Sequence, residues 1–345
     1  MTNTQIKADV VIIGAGPAGL FAAFQAGMLD LRCHLVDALD SIGGQLSALY
    51  PEKPIYDIPG YPEVLAGELI SMLEAQAQSF GPTYHLGQQV EKLSPLSGGR
   101  WDITTSKGTR FDAGAVIIAA GVGAFGPNRP PLDGIEQFEG KGPGLGVNYL
   151  VKKREDFRDK RVVIAGGGDS AVDWAVSLAD VAKSINVVHR RDKFRAQPES
   201  VKKMQELGKS GKVEITVPFQ LDSIKSENGV ITHIGVADLD GNIRQLEADV
   251  LLAFFGLKQN IGPIADWGLK IENNHIAVDP ATMNAGHDGL FAAGDIATYP
   301  GKLKLILTGF AEAARAAYSA REHIYPNEER HFEYSTSRGV PGGAK

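Results

Sequence analysis

The sequence predicts an α/β fold of two nucleotide-binding Rossmann-like domains, the second inserted in the first. Three observations carry this reading. The apolar run Val10–Ile13 leads at once into Gly14-Ala15-Gly16-Pro17-Ala18-Gly19, then a helical pattern through Leu20, Phe21, Phe24 and Met28, then a second run, Cys33–Val36, ending on Asp37. The same order returns at Val162–Ala165 and Gly166-Gly167-Gly168-Asp169-Ser170-Ala171. Beyond that second unit, Phe291-Ala292-Ala293-Gly294-Asp295 reads as another buried strand closing on a glycine–acid turn.

Each part of the first unit has a physical task. A short apolar run of this length suits a buried parallel strand. Gly14 permits the tight turn, Gly16 lets the backbone approach a pyrophosphate, and Gly19 lets the helix pack closely on the strand. The free N–H groups of the helix N-terminus attract phosphate. Asp37 lies at the distance where an acid accepts hydrogen bonds from an adenosine ribose.

Bulk properties bound the rest. A length of 345 residues suits roughly two domains. Apolar residues make up 43 % and charged residues 22 %, ordinary for a soluble globular chain, and no apolar span suits a membrane helix. The start, MTNTQIKAD, lacks the charged-then-apolar design of a signal peptide, which favours the cytoplasm. A net charge of −6 argues against a chain built for nucleic acid or an anionic membrane. The single cysteine, Cys33, excludes an internal disulfide or a paired-thiol relay and reads as a small buried side chain. The eight histidines show no ligand spacing, so no metal is expected.

After Asp37 comes a loop rich in glycine and proline, from Ser41 to Pro62, long enough to be functional. A helix is expected over about Gly67–Ser79, and short strands over 83–120 end in Ala115–Gly121. In the second unit the helix is expected over Ala171–Val181. The strand Ser184–Val188 then ends not on an acid but on His189-Arg190-Arg191, with Arg195 close behind. Guanidinium groups there accommodate a 2′-phosphate, so this unit reads as binding NADP(H) rather than NAD(H). Residues 212–250 read as a meander, 251–256 as an apolar strand ending on glycine, and Thr308–Glu322 as an alanine-rich helix. The polar tail 326–345 has the composition of a disordered end.

Together, the two glycine motifs, Ala119-Ala120-Gly121, His189-Arg190-Arg191-Asp192-x-Phe194-Arg195 and Phe291–Asp295 resemble the thioredoxin reductase branch of the two-dinucleotide flavoproteins, over nearly the whole chain. That branch carries Cys-x-x-Cys shortly before its second glycine motif. Here Leu150 and Lys153 occupy the expected cysteine positions, so a disulfide relay is excluded. The remaining pattern is similar to the thioredoxin reductase-like ferredoxin–NADP⁺ reductases. The run Gly43–Lys53 and the segment Tyr334-Ser335-Thr336-Ser337 match that subfamily.

The resemblance implies three-layer ββα domains, with FAD in the first and NADPH in the second. The expected boundaries are 1–121 and 255–345 for the FAD domain and 122–254 for the inserted NADPH domain. It implies that Gly14, Gly16, Pro17, Ala18, Gly19, Asp37, Gln45, Tyr50, Val90, Phe125, Gly294, Asp295 and Thr336 hold FAD. Tyr50 would stack on one flavin face and Tyr334, in a C-terminal extension ordered to about Ser337, on the other. Gly166, Gly168, Asp169, Ser170, Ala171, His189, Arg190, Arg191 and Arg195 would hold NADPH. No side chain is expected to act as general acid or base, since the hard chemistry belongs to the flavin.

The implied partner is an acidic ferredoxin, and the implied assembly a homodimer. Two basic stretches are candidate docking patches, Lys152-Lys153-Arg154 with Arg158, Lys160 and Arg161, and Lys302 with Lys304. Two other readings remain open at this stage. One is a flavin reductase serving a quinone, a free flavin or an external disulfide. The other is a redox sensor that binds both dinucleotides without turnover.

Overall fold

The computed structural model describes residues 5–328 and 339–340. The near-continuous Val and Ile of β1 (Ile6–Ile13) bury both faces of its second half. α1 (Pro17–Met28) follows, with Pro17 at its start, where a missing N–H costs no intrahelical bond. The chain continues through β2 (Cys33–Val36), α2 (Ala66–Gln78), β3 (Thr83–His85), β4 (Val90–Pro95), β5 (Trp101–Thr105) and β6 (Arg110–Ile118). The loop after Asp37 carries a short helix, Gln45–Leu49, and a small ladder of Pro54–Ile55 with Val64–Leu65.

Further along come β7 (Gly146–Asn148), β8 (Arg161–Ala165), α3 (Asp169–Leu178), β9 (Ser184–Val188), α4 (Pro198–Lys209) and β10 (Val213–Thr216). β11 (Gln220–Glu227), β12 (Val230–Ala237), β13 (Ile243–Glu247) and β14 (Val250–Ala253) follow. The last elements are β15 (Asn284–His287), β16 (Leu290–Ala292) and α5 (Ile306–Ile324). The chain forms two compact units. One runs through Phe125 and resumes at Gln259; the other is Gly126–Lys258.

The first unit has an eight-stranded sheet in the order β15-β16-β6-β1-β2-β3, with β5 beside β6 and β4 beside β5. β6 explains how one sheet is assembled from distant pieces. Its first half pairs antiparallel with β5, from Trp101↔Ala113 to Thr104↔Arg110. Its second half pairs parallel with β16, from Leu290↔Val116 to Ala292↔Ile118. The strand that follows the insertion therefore extends the parallel sheet beside β6, on the side away from β1. α1 packs against α5, where the Phe21 and Phe310 rings lie 5.1 Å apart. Gly27 leaves room for Phe80, since a Cβ there would sit 2.1 Å from that ring.

The second unit has a five-stranded parallel sheet in the order β7-β14-β8-β9-β10 and a separate antiparallel sheet, β11-β12-β13. Val163, Ala165 and Leu251 of the parallel sheet share one core with Leu221, Ile234 and Val236 of the antiparallel one. α3 buries Val172, Trp174 and Leu178. Helices, parallel sheet and meander are thus three layers, each burying its apolar face against the next. No helix among the described residues is long and apolar enough to cross a membrane.

Candidate functional site

In the first unit the sequence turns sharply where β1 ends. Gly14 has φ +109°, and a Cβ there would lie 2.3 Å from the Ala119 carbonyl oxygen. Gly19 seats α1 on that turn, since a Cβ there would lie 1.9 Å from the Gly14 oxygen. Gly16 differs from both. A Cβ on it would meet nothing closer than the Gly44 Cα at 3.9 Å. Two glycines therefore serve close packing, and the middle one opens onto free space.

That space is a cavity of about 430 Å³, in the range of small-molecule sites. Gly14, Gly16, Pro17, Ala18, Asp37, Gln45, Tyr50, Val90, Gly294 and Asp295 all line it, while Gly19 lies beneath the turn. Phe125 belongs to the strand Ala124–Pro127. Its side chain, Tyr334 and Thr336 lie outside the described residues. The N-terminus of α1 faces the cavity with no side-chain cap and no acid in its first turn, so its orphan N–H groups stay available to an anion.

Asp37 reaches back to the turn. Its Oδ2 accepts the Ala15 N–H at 2.6 Å and its Oδ1 accepts the Leu39 N–H at 2.8 Å. Burial pushes its carboxyl above the ordinary value, and those two bonds oppose the shift. Each oxygen keeps a lone pair for a ligand hydroxyl. Across the cavity Tyr50 is half-buried. Burial and the Asp295 charge hold its phenol above its usual range, so it stays neutral.

One wall was not anticipated from sequence. Ile261, Pro263, Ile264 and Trp267 come from the segment after the insertion, which carries no glycine signature. Lys304 also lines the cavity, and its Nζ donates to the buried His275 Nε2 at 2.9 Å.

The second unit repeats the design. Gly166 has φ +156°, and a Cβ there would lie 2.7 Å from the Phe254 oxygen. Gly168 has nothing within 4 Å of that position, and α3 likewise lacks a side-chain cap. Ala171 is buried under the turn, its Cβ 3.0 Å from where a Gly166 Cβ would be. Asp169 fixes the following loop by accepting the Gln197 N–H at 2.8 Å, and Ser170 is exposed beside it. Arg190, Arg191 and Arg195 are exposed at the end of β9, and none has a carboxylate partner among the described residues. His189 stands apart from them. It is 8 % exposed, tilted on Phe194 at 5.3 Å, and packed so tightly under Gly167 that a Cβ there would lie 2.2 Å from the ring. Burial and the neighbouring Arg195 and Arg190 hold its imidazole below the ordinary value.

The basic docking patches need correction. The Lys302 side chain is only 5 % exposed and is paired with Glu312, itself 1 % exposed, so it offers no surface charge. Arg154 pairs with Asp180, Arg158 with Glu155, and Arg161 with Asp249 and Glu247, which leaves Lys152 and Lys153 as the exposed cations of that stretch without a carboxylate partner among the described residues. Cys33 is buried and its thiol is pushed up to about 12 by desolvation, so it is inert.

Two nested α/β units, each with a packed first glycine, an open middle glycine and an uncapped helix, define a two-dinucleotide oxidoreductase fold. The family profile "Pyridine nucleotide-disulphide oxidoreductase" matches residues 8–320. The chain is 60 % identical over 339 residues to the ferredoxin–NADP reductase of Paramagnetospirillum magneticum, covering 98 % of this chain and 99 % of that one. It is 57 % identical over 343 residues to that of Rhodospirillum rubrum, covering 99 % and 98 %. The crystal structure of Lactococcus lactis thioredoxin reductase superposes with a TM-score of 0.76 at 26 % identity, over 92 % of this chain and 99 % of that one. The chain belongs to the pyridine nucleotide-disulphide oxidoreductase family, and within it to the ferredoxin–NADP reductases of the thioredoxin reductase-like branch.

Proposed function

We propose that this protein is an FAD-dependent reductase that moves electrons between NADPH and ferredoxin. The observation that carries the proposal is the pair of open middle glycines, Gly16 and Gly168, each at the start of an uncapped helix. A Cβ at either position would fill the space a pyrophosphate needs, so both sites fit a dinucleotide.

In the first unit, Gly16, Pro17 and Ala18 offer backbone N–H groups to the FAD pyrophosphate and Asp37 accepts from its ribose. Gly14 and Gly19 shape the turn. Gln45 and Tyr50 border the flavin end of the cavity, Val90 and the backbone of Phe125 touch FAD, and Asp295, on the turn at Gly294, bonds the ribityl chain. In the second unit, Gly166 and Gly168 shape the turn, with Asp169, Ser170 and Ala171 opening the helix toward the NADPH pyrophosphate. Arg190, Arg191 and Arg195 bind the 2′-phosphate bidentately. His189 serves from below, as the neutral support of Gly167.

Bound FAD would supply the chemistry of accepting one hydride, which carries two electrons, and of releasing those two electrons one at a time. The chain's own contribution is to position, to shield and to select. Tyr50, neutral and half-buried, keeps water from one side of the cavity. No internal thiol competes for the electrons, because the lone cysteine is buried and protonated. The acceptor is therefore external. We take it to be ferredoxin, with the protein acting as a cytoplasmic homodimer.

A direct test compares acceptors under anaerobic steady-state turnover with NADPH. Reduction of ferredoxin, with no reduction of thioredoxin, is expected. The reverse preference would overturn the proposal.

A further inference from the structure

The buried ion pair removed from the docking surface has another use. Gly294 is held at both ends of its peptide groups by one pair of side chains. Its N–H donates to Glu312 Oε2 at 2.8 Å, and its carbonyl oxygen accepts from Lys302 Nζ at 3.0 Å. Lys302 Nζ also bonds both Glu312 oxygens, with 2.5 Å to Oε2. The Tyr299 hydroxyl donates to Glu312 Oε1 at 2.6 Å. Glu312 projects from the second turn of α5, and Lys302 and Tyr299 come from the segment between the Gly294 turn and that helix. All of these groups sit behind the turn, while Asp295 faces the cavity.

A buried ion pair is costly to desolvate and is weak support for stability by itself. This one is satisfied on every side and aimed at the two peptide groups that flank Gly294. The turn it grips has φ +78° at Gly294, and a Cβ there would lie 3.0 Å from Ala18 Cβ. The turn is thus wedged between α1 and the Glu312–Lys302 clamp. We infer that Glu312 and Lys302, backed by Tyr299, are positioning residues for the dinucleotide of the first unit, and that they act through Asp295 by fixing the direction of its carboxylate. This rests on the reading that the first unit holds FAD.

The inference is tested by a double-mutant cycle on FAD affinity, measured by titrating FAD into the apoprotein. Glu312→Gln keeps an acceptor for the Gly294 N–H but loses the charge that holds Lys302. It should weaken FAD binding by about tenfold or more in the wild-type background. In an Asp295→Asn background the same change should add less than about twofold, because the side chain it positions has already lost its function. Tyr299→Phe removes a single bond and serves if Glu312→Gln does not fold. It should show the same coupling at smaller amplitude. Additive losses in both backgrounds would mean that the clamp is merely structural, and would overturn the inference while leaving the reading of the site as an FAD site standing. A wild-type apoprotein that takes up no FAD would overturn the reading of the site, and the inference with it.

Discussion

The Asp37 carboxylate accepts the Ala15 N–H at 2.6 Å, so the acid that ends β2 is tied to the glycine turn that ends β1. Ala15 is fully buried, and its N–H has no route to water. Asp37→Ala should therefore destabilise the apoprotein by about 1–3 kcal/mol, the cost of a stranded buried donor. It should also lose most of its FAD on gel filtration. Asp37→Asn, which can still accept one of the two N–H groups, should recover part of the stability. Thermal unfolding with and without FAD separates the two effects.

The glycines of the first turn should fail in different ways. At Gly19 a Cβ meets backbone at 1.9 Å, so Gly19→Ala should lower stability or prevent folding. At Gly16 the Cβ enters open space at φ −76°, so Gly16→Ala should fold normally and bind FAD poorly. Circular dichroism and flavin content of the purified variants check this. Equal behaviour of the two would contradict the assignment of Gly16 to the ligand.

The arginines should decide coenzyme choice. Replacing Arg190 and Arg191 by Ala should raise the KM for NADPH by about tenfold or more and leave that for NADH nearly unchanged. Their side chains are exposed, so thermal stability should change little.

Stability should fall on mild acidification. His34 and His85 share a bond of 3.0 Å between Nδ1 and Nε2, and burial lowers the pKa of both from 6.5. His189 is lowered as well. A histidine whose folded pKa lies below its unfolded value is neutral in the fold and protonated first in the unfolded chain. Its stabilising effect is present above pH 6.5 and is lost as the pH falls from there toward the folded value. The Tm should drop as the pH falls below 6.5, and a His34→Asn, His85→Asn double variant should show a shallower slope on that side.

What the sequence made legible was local. The turns at Gly14 and Gly166, and the strands and helices around them, are dictated locally, and the structure has these elements in that order, although α3 runs Asp169–Leu178 rather than the expected Ala171–Val181. α4 escaped notice, because it lies in a charged stretch and buries only Met204, although Pro198 marks its start. The long-range pairings were the least legible. Lys302 reads as a surface lysine in GKLKL, and Glu312 as one more residue of an alanine-rich helix. Only the fold brings them together and buries both. His189 reads as the first member of a basic cluster, yet strand alternation and the bulk of Phe194 turn it under Gly167. The apolar wall of Ile261, Ile264 and Trp267 carries no motif, since packing against a flat ligand requires only bulk.

The measurement that tests the central claim most directly is anaerobic stopped-flow absorbance of the FAD-loaded protein, mixed with NADPH or NADH and then with ferredoxin. Rapid bleaching of the flavin band by NADPH, slow bleaching by NADH, and return of the band on adding oxidised ferredoxin are predicted. A flavin that NADPH does not bleach, or that stays bleached in the presence of ferredoxin, would contradict the account.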